Sequence, residues 1–222
     1  MNKTRIEWAD YTWNPLVGCK RECFYCYARK IHQRFNSDIP FNEISNWDER
    51  LEQPLKVKKP SRIFVGSMSD IEYWSLGQIK NVLNIVKQCP QHTFIFLTKR
   101  PYTYRRIRKY PKNCWLGFTV TSRKEWGQAV RMVRVKRDNL KFINIEPVLN
   151  KIDTSYFWLF DWIILGGLTP KSIHKHQWIK DFLKNGRKLS TPVFIKNNLH
   201  WQGKLRQEFP KVINGNKGCI IA

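Results

Sequence analysis

Cys19, Cys23 and Cys26 fall within one span of eight residues, Cys19-Lys20-Arg21-Glu22-Cys23-Phe24-Tyr25-Cys26. The spacing is C-x3-C-x2-C, with an aromatic directly before the last cysteine. Thiolates ligate soft metals, and their number decides the chemistry. Four protein ligands close a structural zinc site or saturate a cluster, whereas three leave one metal position open. A four-iron cluster held by three thiolates keeps one iron free for a substrate. Two other readings compete. His32, six residues after Cys26, would complete a zinc site, and free cysteines also serve as small core residues. A disulfide set fits worst, because Met1 to Asp10 carries Lys3, Arg5, Glu7 and Asp10 and no apolar signal stretch.

Such a loop needs elements to hold it. From residue 60 onward, short apolar runs alternate with helical stripes. Arg62 to Gly66, Thr93 to Leu97, Cys114 to Val120, Lys141 to Ile145, Trp162 to Leu165 and Pro192 to Ile195 read as strands. Leu76 to Gln88 places Leu76, Ile79, Leu83 and Val86 on one helical face; Trp126 to Val135 does the same with Trp126, Ala129, Val130 and Val133. Trp178, Ile179, Phe182 and Leu183 supply a further stripe. Apolar strands without alternation, separated by helices, indicate a parallel sheet covered on both faces. With a first strand near Tyr11 to Trp13, the expected fold class is α/β, a single-domain partial (open) β/α barrel. It would have about six β/α units, since a closed barrel of eight normally needs about 250 residues. An N-terminal iron–sulfur cluster loop would occupy residues 14–30, with an insertion or lid over 36–60 and a basic C-terminal tail over 203–222. The domain spans 1–222.

In parallel β/α folds, chemistry collects where the strands end. The expected strand ends turn polar within a residue or two: Ser67-Met68-Ser69-Asp70, Thr98-Lys99-Arg100-Pro101, Thr119-Val120-Thr121-Ser122, Asn144-Ile145-Glu146-Pro147, Gly166-Gly167 and Lys196-Asn197-Asn198. Turn chemistry explains Asn197 and Thr169 well. It explains less well Glu146 between Ile145 and Pro147, or Lys99 after Phe96-Leu97-Thr98, because a charge at a buried sheet end is costly without a partner. Cys89 and Cys114 read as structural.

Charge is the second signal. Lys and Arg number 40 against 17 Asp and Glu, a formal net charge of +23. A field of this size attracts polyanions, and nucleic acid (DNA or RNA) is the expected partner. A lysine-rich genome would also raise surface charge, yet many of the cations are arginine. Lys99, Arg100, Tyr102, Tyr104, Arg105, Arg106, Arg108 and Lys109 interleave cations with aromatics directly after a strand, which suits phosphate contact and base stacking. A solvated helix face with tyrosines turned to the core is the competing reading. No apolar run reaches membrane-spanning length, so no membrane partner is expected.

A resemblance gathers these features. Ile6-Glu7-Trp8-Ala9-Asp10-Tyr11-Thr12-Trp13-Asn14-Pro15 followed by Gly18-Cys19 carries it, as do Ser67-Met68-Ser69-Asp70, Leu97-Thr98-Lys99-Arg100-Pro101, Glu146-Pro147 and Gly166-Gly167. With the cysteine spacing, the chain resembles the radical S-adenosylmethionine (radical SAM) superfamily, and more narrowly a phage-associated branch of short members with unassigned activity. The resemblance implies that Cys19, Cys23 and Cys26 hold a [4Fe–4S] cluster that chelates S-adenosylmethionine. A reductase such as a flavodoxin or ferredoxin would supply one electron, giving methionine and a 5′-deoxyadenosyl radical. Tyr25 would pack near the adenine, and Ser67, Ser69 and Asp70 would meet the methionyl amino group. Thr119, Thr121 and Ser122 would take the ribose, and Glu146 would fix the ligand or its neighbours. The implied function is modification or repair of a nucleic acid or nucleotide in the cytoplasm of a bacterial or phage-infected host. Two alternatives stay open: radical chemistry on a peptide or small metabolite, and a basic nucleic-acid-binding protein that keeps a cluster or zinc for structure alone.

Overall fold

In the computed structural model, the structure describes residues 1–35, 38–121, 123–133, 138–186 and 191–211. The apolar runs become strands that share one sheet. β1 (Asn2–Lys3), β2 (Tyr11–Trp13) and β3 (Leu16–Val17) precede α1 (Tyr27–Phe35) and β4 (Ser45–Asn46). Then follow β5 (Arg62–Val65), α2 (Leu76–Gln88), β6 (Thr93–Thr98), β7 (Cys114–Thr119), α3 (Arg123–Val133) and β8 (Leu140–Ile145). β9 (Trp162–Leu165), α4 (His176–Gly186) and β10 (Val193–Ile195) complete the order. The main sheet has eight strands, β1-β2-β5-β6-β7-β8-β9-β10, parallel throughout except for the antiparallel β1–β2 pair. β3 and β4 form a separate antiparallel ribbon.

Period-2 geometry sorts each strand onto two faces. On one face Ile63, Val65, Phe94, Phe96, Leu116, Phe118, Ile143 and Ile163 meet Ile79, Val82 and Val86 of α2, Trp126 and Ala129 of α3, and Ile179 and Phe182 of α4. Ser75 starts α2 with a capping box, its hydroxyl accepting from Gln78 N while Ser75 N donates to the Gln78 side chain. The other face carries Phe64, Ile95, Trp115, Phe142, Trp162 and Phe194, joined by Trp8. Trp162 lies at its centre, with ring centroids 5.7 Å from Trp115, 5.5 Å from Phe142, 6.0 Å from Phe194 and 5.4 Å from Phe209. Gly117 is required beneath this layer, because a Cβ there would stand 2.1 Å from the Phe142 ring.

The expectation of a partial β/α barrel with about six units is corrected by this architecture. The fold is mixed α/β around a mostly parallel eight-stranded sheet. The β6–β7 and β8–β9 crossovers contain only 3-10 turns, Pro101–Arg106 and Phe157–Leu159, so the β/α repeat is broken twice. Among the described residues no backbone ladder joins β1 to β10. Instead the sheet bends until side chains bridge its ends: Trp8 meets Trp162 at 6.4 Å, and Asn197 N donates to Glu7 Oε1 at 2.7 Å. The free edge of β10 is covered by chain, with Ile195 N donating to Arg206 O and Glu208 N to Val193 O. The expected iron–sulfur cluster loop is corrected too: among the described residues, no group of three or more His, Cys, Asp or Glu is assembled to hold a metal ion.

Residues 38–60 pack on the sheet's flank, where Trp13 Nε1 donates to Arg50 O at 2.8 Å and β4 pairs with β3. His92, buried beside them, holds Val57 O at 2.9 Å through Nε2. Part of the expected tail, 212–222, lies outside the described residues. Among the described residues no helix is long and apolar enough to cross a membrane.

Two stability experiments follow. Trp162→Ala should cost about 3–5 kcal/mol in urea denaturation, whereas Trp158→Ala, at an exposed site, should stay within about 0.5 kcal/mol. Desolvation lowers the His92 pKa below its ordinary value near 6.5. The unfolded chain therefore takes up a proton that the folded one refuses as pH falls below about 6.5, so folded stability present above that pH is lost on acidification. Measured between pH 7 and pH 5, wild type should lose more stability than His92→Gln.

Candidate functional site

The parallel strands all end at one edge, and a cavity of about 390 Å³ opens there. β5 to β10 each contribute to its lining: Ser67, Ser69 and Asp70 follow β5, and Thr98 and Lys99 end β6. Thr119 ends β7, Asn144 and Glu146 end β8, Gly167 follows β9, and Lys196 and Asn198 follow β10. Crevices beyond the carboxyl ends of parallel strands are where open α/β sheets bind ligands. The polar residues continue the register of the aromatic face, Phe142 to Asn144 and Phe194 to Lys196, so the aromatic layer underlies the cavity.

Cys19, Cys23 and Cys26 line the same cavity from the loop after β3. All three are free and half-buried. Gly18 makes the turn into this loop at φ +113°, where a Cβ would stand 1.8 Å from Glu43 O. Gly18 N donates to Met68 O and Cys19 N to Phe41 O, which ties the loop to the end of β5 and to the 38–60 segment. Arg29 N donates to Cys26 Sγ at 3.4 Å. Burial pushes the Cys19 thiol up to about 11, and the nearby Asp70 adds to this. Burial also raises Cys23, against the opposing pull of Lys99 and Arg21.

Charged side chains clasp the loop across the strand ends. Arg21 reaches Glu72 at 3.3 Å and Glu125 at 3.9 Å, and Arg29 donates to Arg21 O at 3.0 Å. Lys99 Nζ donates to Tyr25 Oη at 2.8 Å and lies 4.9 Å from that ring's centroid. His32 turns away: its Nε2 lies 2.7 Å from Ile39 O and its ring packs on Phe41, so it does not complete a zinc site with the three cysteines.

The residues expected to bind cofactor divide into two groups. Tyr25, Ser69 and Thr119 line the cavity, with Ser69 Oγ accepting from Trp74 Nε1. Asp70 also lines it, but its carboxylate is already used: Oδ1 accepts from Thr98 Oγ1 at 2.6 Å and Glu72 N at 2.9 Å, and Oδ2 from Lys99 N at 3.0 Å. Ser67 exchanges hydrogen bonds with Asn14. Thr121 is turned to Glu125, and Ser122 lies outside the described residues. Glu146 accepts from Lys196, Asn198 and Asn144.

The expected nucleic-acid segment is mostly spent on structure. Tyr104, fully buried, donates to Gly117 O at 3.0 Å, which corrects its expected role in stacking on a base. Tyr102 packs against the core beneath Arg105. Arg100 pairs with Glu72, Lys99 holds Tyr25, and Arg106 donates to the carbonyls of Ile71 and Glu72. Arg105, Arg106, Arg108 and Lys109 are exposed. Asn144, Lys196 and Asn198, expected only as polar strand ends with no role assigned, line the cavity, and so does Arg21 of the cysteine loop, which was not singled out.

A mixed α/β protein with a thiol-lined cavity over its strand ends is thus defined. The chain belongs to DUF5131, a family described as proteins of unknown function, whose model matches residues 3–218. That match is with this family and not with a radical SAM model, so the expected superfamily membership is corrected. The chain is also similar to the uncharacterized protein MJ0683 of Methanocaldococcus jannaschii, 27% identical over 129 residues. That match covers 55% of this chain and 48% of the relative, so the chain spans about half the length of the curated relative it matches. No solved structure matches the chain.

Asp70→Ala strips three donors of their buried acceptor and should cost about 2–3 kcal/mol by denaturant unfolding of the metal-free protein. A residue kept for ligand contact alone would leave that stability unchanged.

Proposed function

We propose that this cavity is the active site of an enzyme in which Cys19, Cys23 and Cys26 hold a [4Fe–4S] cluster beside S-adenosylmethionine, with a nucleic acid or nucleotide as substrate. One observation carries the reading: three free thiols and the polar ends of β5 to β10 line a single cavity. It rests on the site, not on family membership. The donors are of the kind the group takes, three soft sulfur ligands that leave one position open, although the structure does not draw them together as a metal-holding group. Held by Cys19, Cys23 and Cys26, the cluster would supply one-electron reduction of the sulfonium to methionine and a 5′-deoxyadenosyl radical, the electron coming from an external flavodoxin- or ferredoxin-class donor.

The chain's own residues supply position, charge and exclusion of water. Lys99 and Arg21 act on Cys23 as nearby cations and favour its thiolate form. Tyr25, fixed by Lys99, presents an aromatic face for an adenine. The Ser69 and Thr119 hydroxyls supply hydrogen bonds for the polar ends of the ligand. Trp8, Phe64 and Leu97 close the floor with apolar surface. Arg105, Arg106, Arg108 and Lys109 place exposed cations beyond the end of β6, in a chain of net charge +23. Free thiols of this kind belong in a reducing compartment, which suits the cytoplasm.

The test is anaerobic reconstitution with iron and sulfide, dithionite reduction and addition of S-adenosylmethionine, with 5′-deoxyadenosine as the readout. Wild type should bind about four irons per chain and form product, and Cys23→Ala should form none. Bound zinc without a cluster, or a cluster that never cleaves S-adenosylmethionine even with DNA or RNA present, would sink the reading. Polynucleotide binding should weaken steeply with salt; a slope near zero would remove nucleic acid as the substrate.

A further inference from the structure

Asn144 is 3% exposed, lines the cavity and has no hydrogen-bond partner for its Oδ1. Its Nδ2 lies 3.4 Å from Glu146 Oε2, and this sets the amide's orientation, because the opposite rotamer would place oxygen against a carboxylate. The buried acceptor is therefore a fixed feature, and leaving it unpaired is costly unless a water or a ligand in the cavity supplies a donor. On its other oxygen Glu146 accepts from Lys196 Nζ at 2.5 Å and Asn198 Nδ2 at 3.0 Å. An ammonium has three N–H donors, so Lys196 keeps capacity for a ligand. One carboxylate thus holds an acceptor, Asn144 Oδ1, and a donor, Lys196 Nζ, on its two sides.

Trp8 and Phe64, with ring centroids 4.8 Å apart and planes inclined at 58°, and Leu97 give the same cavity an apolar lining. Gly166 lets Glu146 stand this close, since a Cβ there would lie 2.5 Å from the carboxyl carbon.

We propose that this part of the cavity is a nucleobase subsite that reads a substrate base by its lactam edge. The ring N–H donates to Asn144 Oδ1, and the adjacent carbonyl accepts from Lys196 Nζ. Uracil, thymine and guanine carry that edge, and the apolar wall takes the ring's face. The proposal deepens the function given above and rests on it for a nucleic acid or nucleotide as substrate.

The experiment uses the full-length, metal-free chain, whose tryptophan fluorescence is titrated with uridine and guanosine monophosphates and with their N3-methyl and N1-methyl forms. Neither metal nor S-adenosylmethionine is needed, so failure of the cleavage assay and failure here are separable. Methylation should weaken binding about tenfold, as expected for one lost hydrogen bond in a buried site. Asn144→Ala should bind parent and methylated forms alike, and Lys196→Gln should weaken both parents. The wild-type ligand pair keeps the test decisive should Asn144→Ala not fold. Equal binding of parent and methylated nucleotides by wild type, or no saturable binding into the millimolar range, overturns the proposal. So does S-adenosylhomocysteine displacing the nucleotides, which would assign this edge to the cofactor's adenine.

Discussion

Parallel pairing with both faces buried is the constraint on which the rest of this structure depends. From β2 to β10 the main-sheet strands run in one direction, and both faces are filled, one by helices and the other by an aromatic layer. Such a sheet has little room for polar side chains along its length. They gather where the strands stop, and because the strands are parallel they stop at the same edge. The cavity and its lining follow from this geometry. The aromatic residues set its floor, and the next residue of the same register faces the cavity, as Phe142 is followed by Asn144 and Phe194 by Lys196.

Charges at that edge are held by one another. Asp70 is satisfied by Thr98, Lys99 N and Glu72 N, while Glu146 is satisfied by Lys196 and Asn198. Removing one member of such a set leaves the other desolvated and unpaired, which is worse than never having buried either. The internal pairing also divides labour. Groups whose oxygens are consumed position their neighbours, and groups with capacity left, such as the Asn144 oxygen and the Lys196 ammonium, remain for a ligand. Arg21 extends the same logic outward, tying the cysteine loop to Glu72 and Glu125 so that the thiols stand at the cavity wall.

Much of the sheet was legible because apolar runs and a helical stripe are local signals. The spacing of Leu76, Ile79, Leu83 and Val86 predicts a helix over 76–88, and α2 spans the same residues. The strand expected at 93–97 is β6 at Thr93–Thr98. The barrel was not legible, because a β/α count assumes that every crossover carries a helix. The crossover after β6 begins Lys99-Arg100-Pro101 and makes only a 3-10 turn. The same segment misled on Tyr104, where a basic stretch with interleaved tyrosines reads as a nucleic-acid face. Only tertiary packing shows the ring inside, with its hydroxyl on Gly117 O. β3 and β4, at two residues each, give no periodicity to read. The cysteines declared themselves by spacing, and the strand ends by polarity. Neither signal says which polar group is free: Asp70 and Asn144 look alike as strand-end residues, yet one is saturated and the other is not.

The balance of charge at the cysteine loop bears on how its thiols are held. Three thiols share one cavity wall with Asp70, and burial together with these neighbours keeps Cys19 protonated to about pH 11. Ionising all three at once would place like charges side by side in a partly desolvated space, which is unfavourable without a compensating cation. Lys99 and Arg21 supply part of that compensation at Cys23, but both are engaged elsewhere, on Tyr25 and on Glu72. The raised thiol pKa at Cys19 disfavours a role in which its thiolate acts alone as a nucleophile at neutral pH.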